Sequence, residues 1–226
     1  QVNLLQCRPF QTIGMGGRCP LPRADDSRDI VLRLEGGFMG GNVALPIALV
    51  ILVDPEPCGR LSWSEKYSGA RLMGRLYRSV CAQEQNPTLL LGPGRWGTST
   101  PAMGVPVHFA EINHISALAE ISYRDGSLIP DLSFGSHFFH DLIETRIFYL
   151  AIYPEQPEVL FDRQWFLDQP NRLAALYPED TALAAVVRVV DSRAAGLTIH
   201  ADVTSQQVLG YLGGPPQAGG RADSNA

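Results

Sequence analysis

Short strand-like runs alternate with segments of helical periodicity along this chain, and this alternation limits the folds that it can adopt. A capping box formed by Ser62 and Glu65 opens a predicted helix, and the short apolar strand Thr88–Leu91 follows it. A second helix is predicted from about Ser133 to Thr145, ahead of the β-branched and aromatic strand Arg146–Tyr153. Helices interleaved with strands indicate an α/β or α+β fold, with a mixed sheet and flanking helices.

Other strands are predicted at both ends of this region. In Arg28–Leu34, the residues Ile30, Leu32 and Leu34 alternate with Val31 and Arg33, as in a strand. Val43–Val53 is an apolar run, and the Gly-rich connection between the two segments indicates a hairpin. Four more strands are predicted, namely Val105–Phe109, Ala117–Tyr123, Ala184–Val190 and Leu197–Val203.

Composition divides the chain into a folded module with irregular segments on either side. Residues 11–28 are rich in Gly, Pro, Arg and Asp without periodicity, which predicts a linker. Residues 29–212 form the predicted α/β module, and the Gly- and Pro-rich tail 213–226 is predicted to be disordered. The chain begins with Gln1 and shows no signal-peptide pattern, so we expect it to be a piece of a longer protein.

The overall composition restricts the class of protein. Hydrophobic residues make up 45% of the chain and charged residues 18%, so most of it can bury a core and fold. The formal net charge of -5 argues against a nucleic-acid-binding protein, and no apolar run reaches the roughly 18 residues of a membrane span. Cys7, Cys19, Cys58 and Cys81 lack metal-binding spacing, which suggests reduced thiols in a soluble, cytoplasmic protein. Lys66 is the only lysine among the 18 basic residues.

A Gly-rich loop directly after a predicted strand is the first candidate binding site. Glycine has no Cβ, so the backbone N–H groups of such a loop can approach an anion, and an arginine adds a planar donor for phosphate or carboxylate. The anion-binding candidates are Gly92, Gly94, Arg95 and Gly97. The same pattern also fits a tight turn in which Trp96 packs into the core and Arg95 pairs with a nearby carboxylate.

The second candidate is the helix that starts near Ser133. At helical spacing His137, His140, Asp141 and Glu144 share one face, and a carboxylate four residues after each histidine can orient its imidazole. Such a face can hold a divalent metal or move a proton, which makes His137 and Asp141 candidate catalytic residues. The alternative is a solvated polar face of an amphipathic helix, and no confident metal site follows from the spacing.

Several short motifs stand in a fixed order along the chain, namely Leu4–Pro9, Leu90–Gly97, Gly104–Val107, Gly135–Phe139 and the pair Asp141 and Leu142. They resemble motifs of the phosphoenolpyruvate synthase and pyruvate phosphate dikinase family. In their order they look like one branch of that family, the large proteins that carry an extra region after the ATP-binding domain.

The resemblance implies that an ATP-grasp-like domain precedes this chain and that residues 1–10 are its last strand. In that family the motif glutamine and arginine help to hold Mg-ATP, and these positions are Gln6 and Arg8 here. An arginine suits phosphate and an amide oxygen suits Mg²⁺. The family's catalytic lysine and phosphohistidine domain have no counterpart in this chain, so His137 is not assigned as a phosphocarrier. His140 stands where relatives often have glutamine, which weakens a two-histidine metal site.

We therefore expect the C-terminal part of a phosphoenolpyruvate synthase-like, ATP-dependent phosphotransferase, or kinase, that is inactive alone. It would contribute an anion-binding or regulatory module. ATP and Mg²⁺ would act through the parent ATP-binding domain, with pyruvate or phosphoenolpyruvate as a further ligand and no nucleic acid or membrane as partner. The alternative is a non-catalytic interaction module fused to such a domain. A third hypothesis is a metal-dependent hydrolase that uses the polar face of the second helix.

Overall fold

The computed structural model of the chain describes residues 21, 29–81, 86–123, 132–133 and 136–214. Gln6 and Arg8, the predicted ligands of Mg-ATP, lie outside the described residues, and so do Cys7 and Cys19. The same holds for all but one residue of the predicted linker and for the predicted tail from residue 215 onwards.

The described part contains thirteen strands and five α-helices. The strands are β1 (Ile30–Glu35), β2 (Phe38–Met39), β3 (Val43–Pro46), β4 (Leu49–Val53), β5 (Thr88–Pro93), β6 (Arg95–Trp96), β7 (Gly104–Val105), β8 (Ala117–Ile121), β9 (Phe148–Ile152), β10 (Leu160–Phe161), β11 (Val187–Asp191), β12 (Thr198–Asp202) and β13 (Gln207–Tyr211). The helices are α1 (Pro55–Gly59), α2 (Trp63–Leu76), α3 (His137–Glu144), α4 (Arg163–Asp168) and α5 (Leu173–Leu176).

The strands form two large sheets and one small one. In the six-stranded sheet, β4, β5, β8 and β9 are parallel neighbours in chain order, and β11 and β2 add antiparallel edges. The five-stranded sheet is antiparallel, in the order β10-β1-β13-β12-β3. Strands β6 and β7 form a short parallel pair. The predicted mixed sheet is therefore confirmed, within an α+β fold.

The described part of the chain is built in three layers, with helices on the outside, the six-stranded sheet in the middle and the five-stranded sheet on the other side. On one face of the six-stranded sheet α2 and α3 pack over Ile51, Leu90 and Leu118. The other face packs against the five-stranded sheet through Val50 and Leu91. Because both of its faces are covered, the parallel strands consist of continuous apolar residues rather than alternating ones.

Capping residues mark where the two longer helices, α2 and α3, begin. Ser62 caps α2, since its hydroxyl accepts the backbone N–H of Glu65 and the Glu65 carboxylate accepts the backbone N–H of Ser62. Ser136 caps α3 by accepting the backbone N–H of Phe139. The capping box predicted from sequence is confirmed, and the second predicted helix begins a few residues later than expected. No helix in the described ranges has both the length and the apolar character that a bilayer span requires.

The predicted hairpin between Arg28–Leu34 and Val43–Val53 is wrong. The apolar run contains two strands in different sheets, because the chain crosses between the layers after Pro46. Strand β3 pairs with β12, and strand β4 pairs with β5 and β11.

The predicted strand Val105–Phe109 is also mostly wrong, because only Val105 is in a strand and a 3₁₀ turn begins at Phe109. Strand β13 was not predicted.

Candidate functional site

A cleft of about 530 Å³ opens at the carboxyl ends of the four parallel strands. Pro55 follows β4, Pro93 and Gly94 come from the end of β5, Tyr123 follows β8 and Glu155 follows β9, and all five line the cleft. Ligand pockets are concave and mostly apolar with a few polar groups, and in proteins with parallel strands they commonly lie outside the carboxyl ends of the strands. The cleft is therefore the first place to look for a ligand site.

Arg163 of α4 is fixed in the wall of this cleft by Asp54, the residue after β4. Its Nε and Nη2 donate to the Asp54 carboxylate at 2.7–3.0 Å, and Nη2 lies 3.4 Å from Glu56 Oε2. The Asp54 side chain is only 7% exposed. Burial alone would lower the pKa of Arg163, but hydrogen bonds to Asp54 and its negative charge raise it, so the guanidinium stays cationic. Nη1 makes no hydrogen bond with the described residues.

Two further donors line the same cleft. Lys66, on the first half of α2, is half-buried and donates from Nζ to the backbone oxygen of Pro101 at 3.1 Å. An ammonium group has three N–H bonds, so two remain for a ligand. Burial raises the pKa of the Tyr123 phenol, which keeps it a neutral donor near neutral pH. Lys66, Tyr123 and Arg163 therefore offer hydrogen bonds that no described protein acceptor takes up.

One wall of the cleft is the loop of residues 98–103. Its ends are held together by the pair β6 and β7, and Pro101 and Met103 line the cleft. Two side chains of α2 fasten the loop, namely Lys66 through Pro101 and Tyr67, whose hydroxyl donates to the backbone oxygen of Ser99 at 3.3 Å. Compact surface loops whose ends lie close together are frequently functional.

Glu120 is a buried carboxylate beneath the loop Gly92–Gly97. Its Oε1 accepts the backbone N–H of Trp96 at 2.9 Å and the Ser133 hydroxyl at 2.5 Å. Its Oε2 accepts the backbone N–H of Ser133 at 2.6 Å and the Tyr149 hydroxyl at 2.8 Å. Burial raises the pKa of Glu120, and the four donors oppose that shift. This carboxylate joins β8, β9, the loop and the segment before α3.

The predicted anion loop uses its backbone N–H groups inside the protein. Those of Gly94, Trp96 and Gly97 donate to protein oxygens at 2.8–3.0 Å. Gly92 lies against the Trp96 ring, where an added Cβ would be 2.6 Å from a ring atom. An anion at this loop would have to rely mainly on the side chain of Arg95. Anion binding by Gly92, Gly94, Arg95 and Gly97 stays a prediction, and of these four only Gly94 lines the cleft.

The predicted polar face of α3 lies toward solvent. His137 and Glu144 are exposed, whereas His140 and Asp141 are half-buried. Across the ranges that the structure describes, no group of three or more His, Cys, Asp or Glu side chains could hold a metal ion. The catalytic roles predicted for His137 and Asp141 stay predictions.

No family model, curated protein or solved structure matches this chain. The resemblance to phosphoenolpyruvate synthase-like proteins therefore stays a hypothesis that rests on the quoted motifs.

Most residues of the cleft, and the buried Glu120 beneath the loop Gly92–Gly97, were not predicted from the sequence. Glu120 did carry a signal, because a lone acid inside the apolar strand Ala117–Ile121 requires hydrogen-bond donors around it. Asp54 also carried one, because it directly follows a buried apolar strand. No sequence pattern around Arg163 or Lys66 indicated that these two residues would line the same cleft.

Proposed function

We propose that this chain is a ligand-binding module, inactive as an enzyme by itself, and that its cleft takes a small anionic molecule. In its parent it would regulate, or supply a ligand to, a cytoplasmic phosphoenolpyruvate synthase-like, ATP-dependent phosphotransferase. The observation that carries the proposal is the cleft at the carboxyl ends of β4, β5, β8 and β9. Its volume of about 530 Å³ falls within the range of small-molecule sites.

The parent activity is inferred from the resemblance and not from the cleft. Phosphoryl transfer depends on positioning the nucleotide and its Mg²⁺. In the family that the chain resembles, those groups belong to the upstream ATP-binding domain, of which Gln6 and Arg8 would be the final residues. We therefore expect no transfer of phosphate from ATP to pyruvate by this chain alone.

Thermal unfolding with phosphate, phosphoenolpyruvate, pyruvate or Mg-ATP tests the proposal. A ligand that binds only the folded state stabilises it by about 2.7 kcal/mol at a hundredfold excess over Kd. Lys66 supplies a second readout, because an amine-reactive label can modify no other lysine. A bound anion in the cleft should slow labelling of Lys66, as measured by mass spectrometry.

Two variants decide which site is used. Lys66→Met should markedly reduce the stabilisation by ligand if the cleft is the site, and Arg95→Ala should leave it intact. The reverse result would move the anion site back to the loop Gly92–Gly97. The proposed function would be contradicted if no small anion, simple carboxylates included, either stabilised the protein or protected Lys66.

A second candidate function is a non-catalytic interaction module. Trp63 is 63% exposed and Tyr67 is 40% exposed, and both lie on α2. Exposed aromatic side chains are common at protein interfaces. Trp63→Ser should weaken association with the separately purified upstream domain if this surface docks there, and equal association by both forms would reject it.

A further inference from the structure

The charges within the cleft are close to balanced, which restricts the ligand. Lys66 and Arg163 contribute two positive charges, and the buried carboxylate of Asp54 compensates one of them. Glu56 and Glu155 line the cleft as well and are exposed; Glu56 lies 3.4 Å from Arg163 Nη2 and also pairs with Arg60 at 2.6 Å. The cleft therefore has no positive surplus that would balance a doubly charged ligand.

This balance favours a ligand with little charge, and at most a single negative one. A doubly charged phosphate would leave an uncompensated negative charge in a partly apolar cleft, facing Glu56 and Glu155. Burying an unpaired charge is costly, so such a ligand loses much of the gain from its hydrogen bonds. One carboxylate has two oxygen acceptors, and the two cationic side chains that line the cleft, Lys66 and Arg163, both keep N–H donors that no described protein acceptor takes up, while Tyr123 remains a neutral donor.

The remaining walls of the cleft are mainly apolar. They include Pro55, Pro93, Pro101, Met103 and Ile121. These side chains have no hydrogen-bonding groups to offer a polar ligand body, and they exclude water from a hydrocarbon one. A ligand matched to both parts of the cleft has one anionic end and an apolar remainder.

We propose that the cleft binds a small monocarboxylic acid with an apolar chain, held by Lys66 and by the Nη1 group of Arg163. This inference rests on the function proposed above and names its ligand class. Lys66 is the specificity-determining residue, since it is the cation of the cleft that Asp54 does not pair with.

The test measures protection of Lys66 from amine labelling by acetate, butyrate and hexanoate, with 1-hexanol and inorganic phosphate as controls. Apparent affinity should rise by up to about fourfold for each added methylene, because each one buries apolar surface. Binding, measured for the variants by ligand-induced thermal stabilisation, should fall about tenfold or more in Lys66→Met, which loses a charge-assisted hydrogen bond. Lys66→Arg should retain most of it.

Each result has a distinct meaning. If hexanol protects as well as hexanoate, or if Lys66→Met binds hexanoate normally, the carboxylate inference is wrong. If phosphate or phosphoenolpyruvate binds more tightly than hexanoate and depends on Lys66, the proposed function stands and the ligand class is overturned. If none of the probes binds, both proposals fail. Unchanged unfolding midpoints of the variants without ligand would exclude misfolding as the cause of lost binding.

Discussion

Replacing Glu120 with glutamine should destabilise the fold, and the cost follows from the hydrogen bonds around the side chain. Each carboxylate oxygen accepts one backbone N–H, from Trp96 or from Ser133, and one hydroxyl, from Ser133 or Tyr149. Glutamine has only one acceptor oxygen, and its NH₂ group must face the other pair. A hydroxyl can rotate and accept from the NH₂ group, but a backbone N–H cannot. Glu120→Gln therefore leaves one buried N–H without an acceptor.

An unsatisfied buried donor costs about 1–3 kcal/mol. For a chain of this size, each kcal/mol corresponds to about 2–4 °C in Tm, so a loss of about 2 kcal/mol lowers Tm by about 4–8 °C. Thermal and urea unfolding at neutral pH measure the loss, with Glu158→Gln as the control because Glu158 is exposed. The control should stay within about 0.5 kcal/mol of the parent chain. Equal stability of Glu120→Gln and the parent would refute the assignment of Glu120 as an obligatory acceptor.

Three further predictions concern the same region. Because burial raises the pKa of Glu120, the folded state binds the proton of this carboxyl more tightly than the unfolded state does. The free energy of unfolding should therefore fall as the pH rises above about 4.5 toward the raised pKa. Urea titrations at several pH values should show this fall for the parent chain and not for Glu120→Gln. Lys66→Met removes one of the two hydrogen bonds that side chains of α2 donate to the loop 98–103. Amide hydrogen exchange in this loop should therefore accelerate. Unchanged exchange would mean that other contacts hold the loop in place. Gly92→Ala should destabilise the fold by about 1–3 kcal/mol in urea unfolding, since its Cβ would overlap the Trp96 ring, and normal stability would show that the ring can move.

The elements best predicted from sequence were those set by local chemistry. The capping residues Ser62 and Glu65 correctly predicted the start of α2, and β5, β8 and β9 were correctly predicted as strands. Pairing could not be predicted in the same way. The partners of β1 are β10 and β13, both far along the chain, whereas the sequence pattern suggested its nearest apolar neighbour. Pro46 was the signal for the break between β3 and β4.

The candidate site was predicted only in part. The Gly-rich loop was identified, but its hydrogen bonds run to the protein, and the acceptor for Trp96 comes from Glu120 on a different strand. The cleft depends on Asp54, Lys66 and Arg163, which lie on separate elements and meet only when the sheet has formed. Such a site is a property of the three-dimensional arrangement, and no local pattern encodes it.

The two ends of the folded module are joined in one sheet, and this has a consequence for how the module can be built into a larger protein. Ile30 at the start of β1 pairs with Tyr211 at the end of β13, and the backbone N–H of Leu212 donates to the oxygen of Asp29 at 3.0 Å. Polypeptide attached at either end therefore leaves from the same point. The module is suited to circular permutation, in which a short peptide links residue 212 to residue 29 and new termini are opened in an exposed loop.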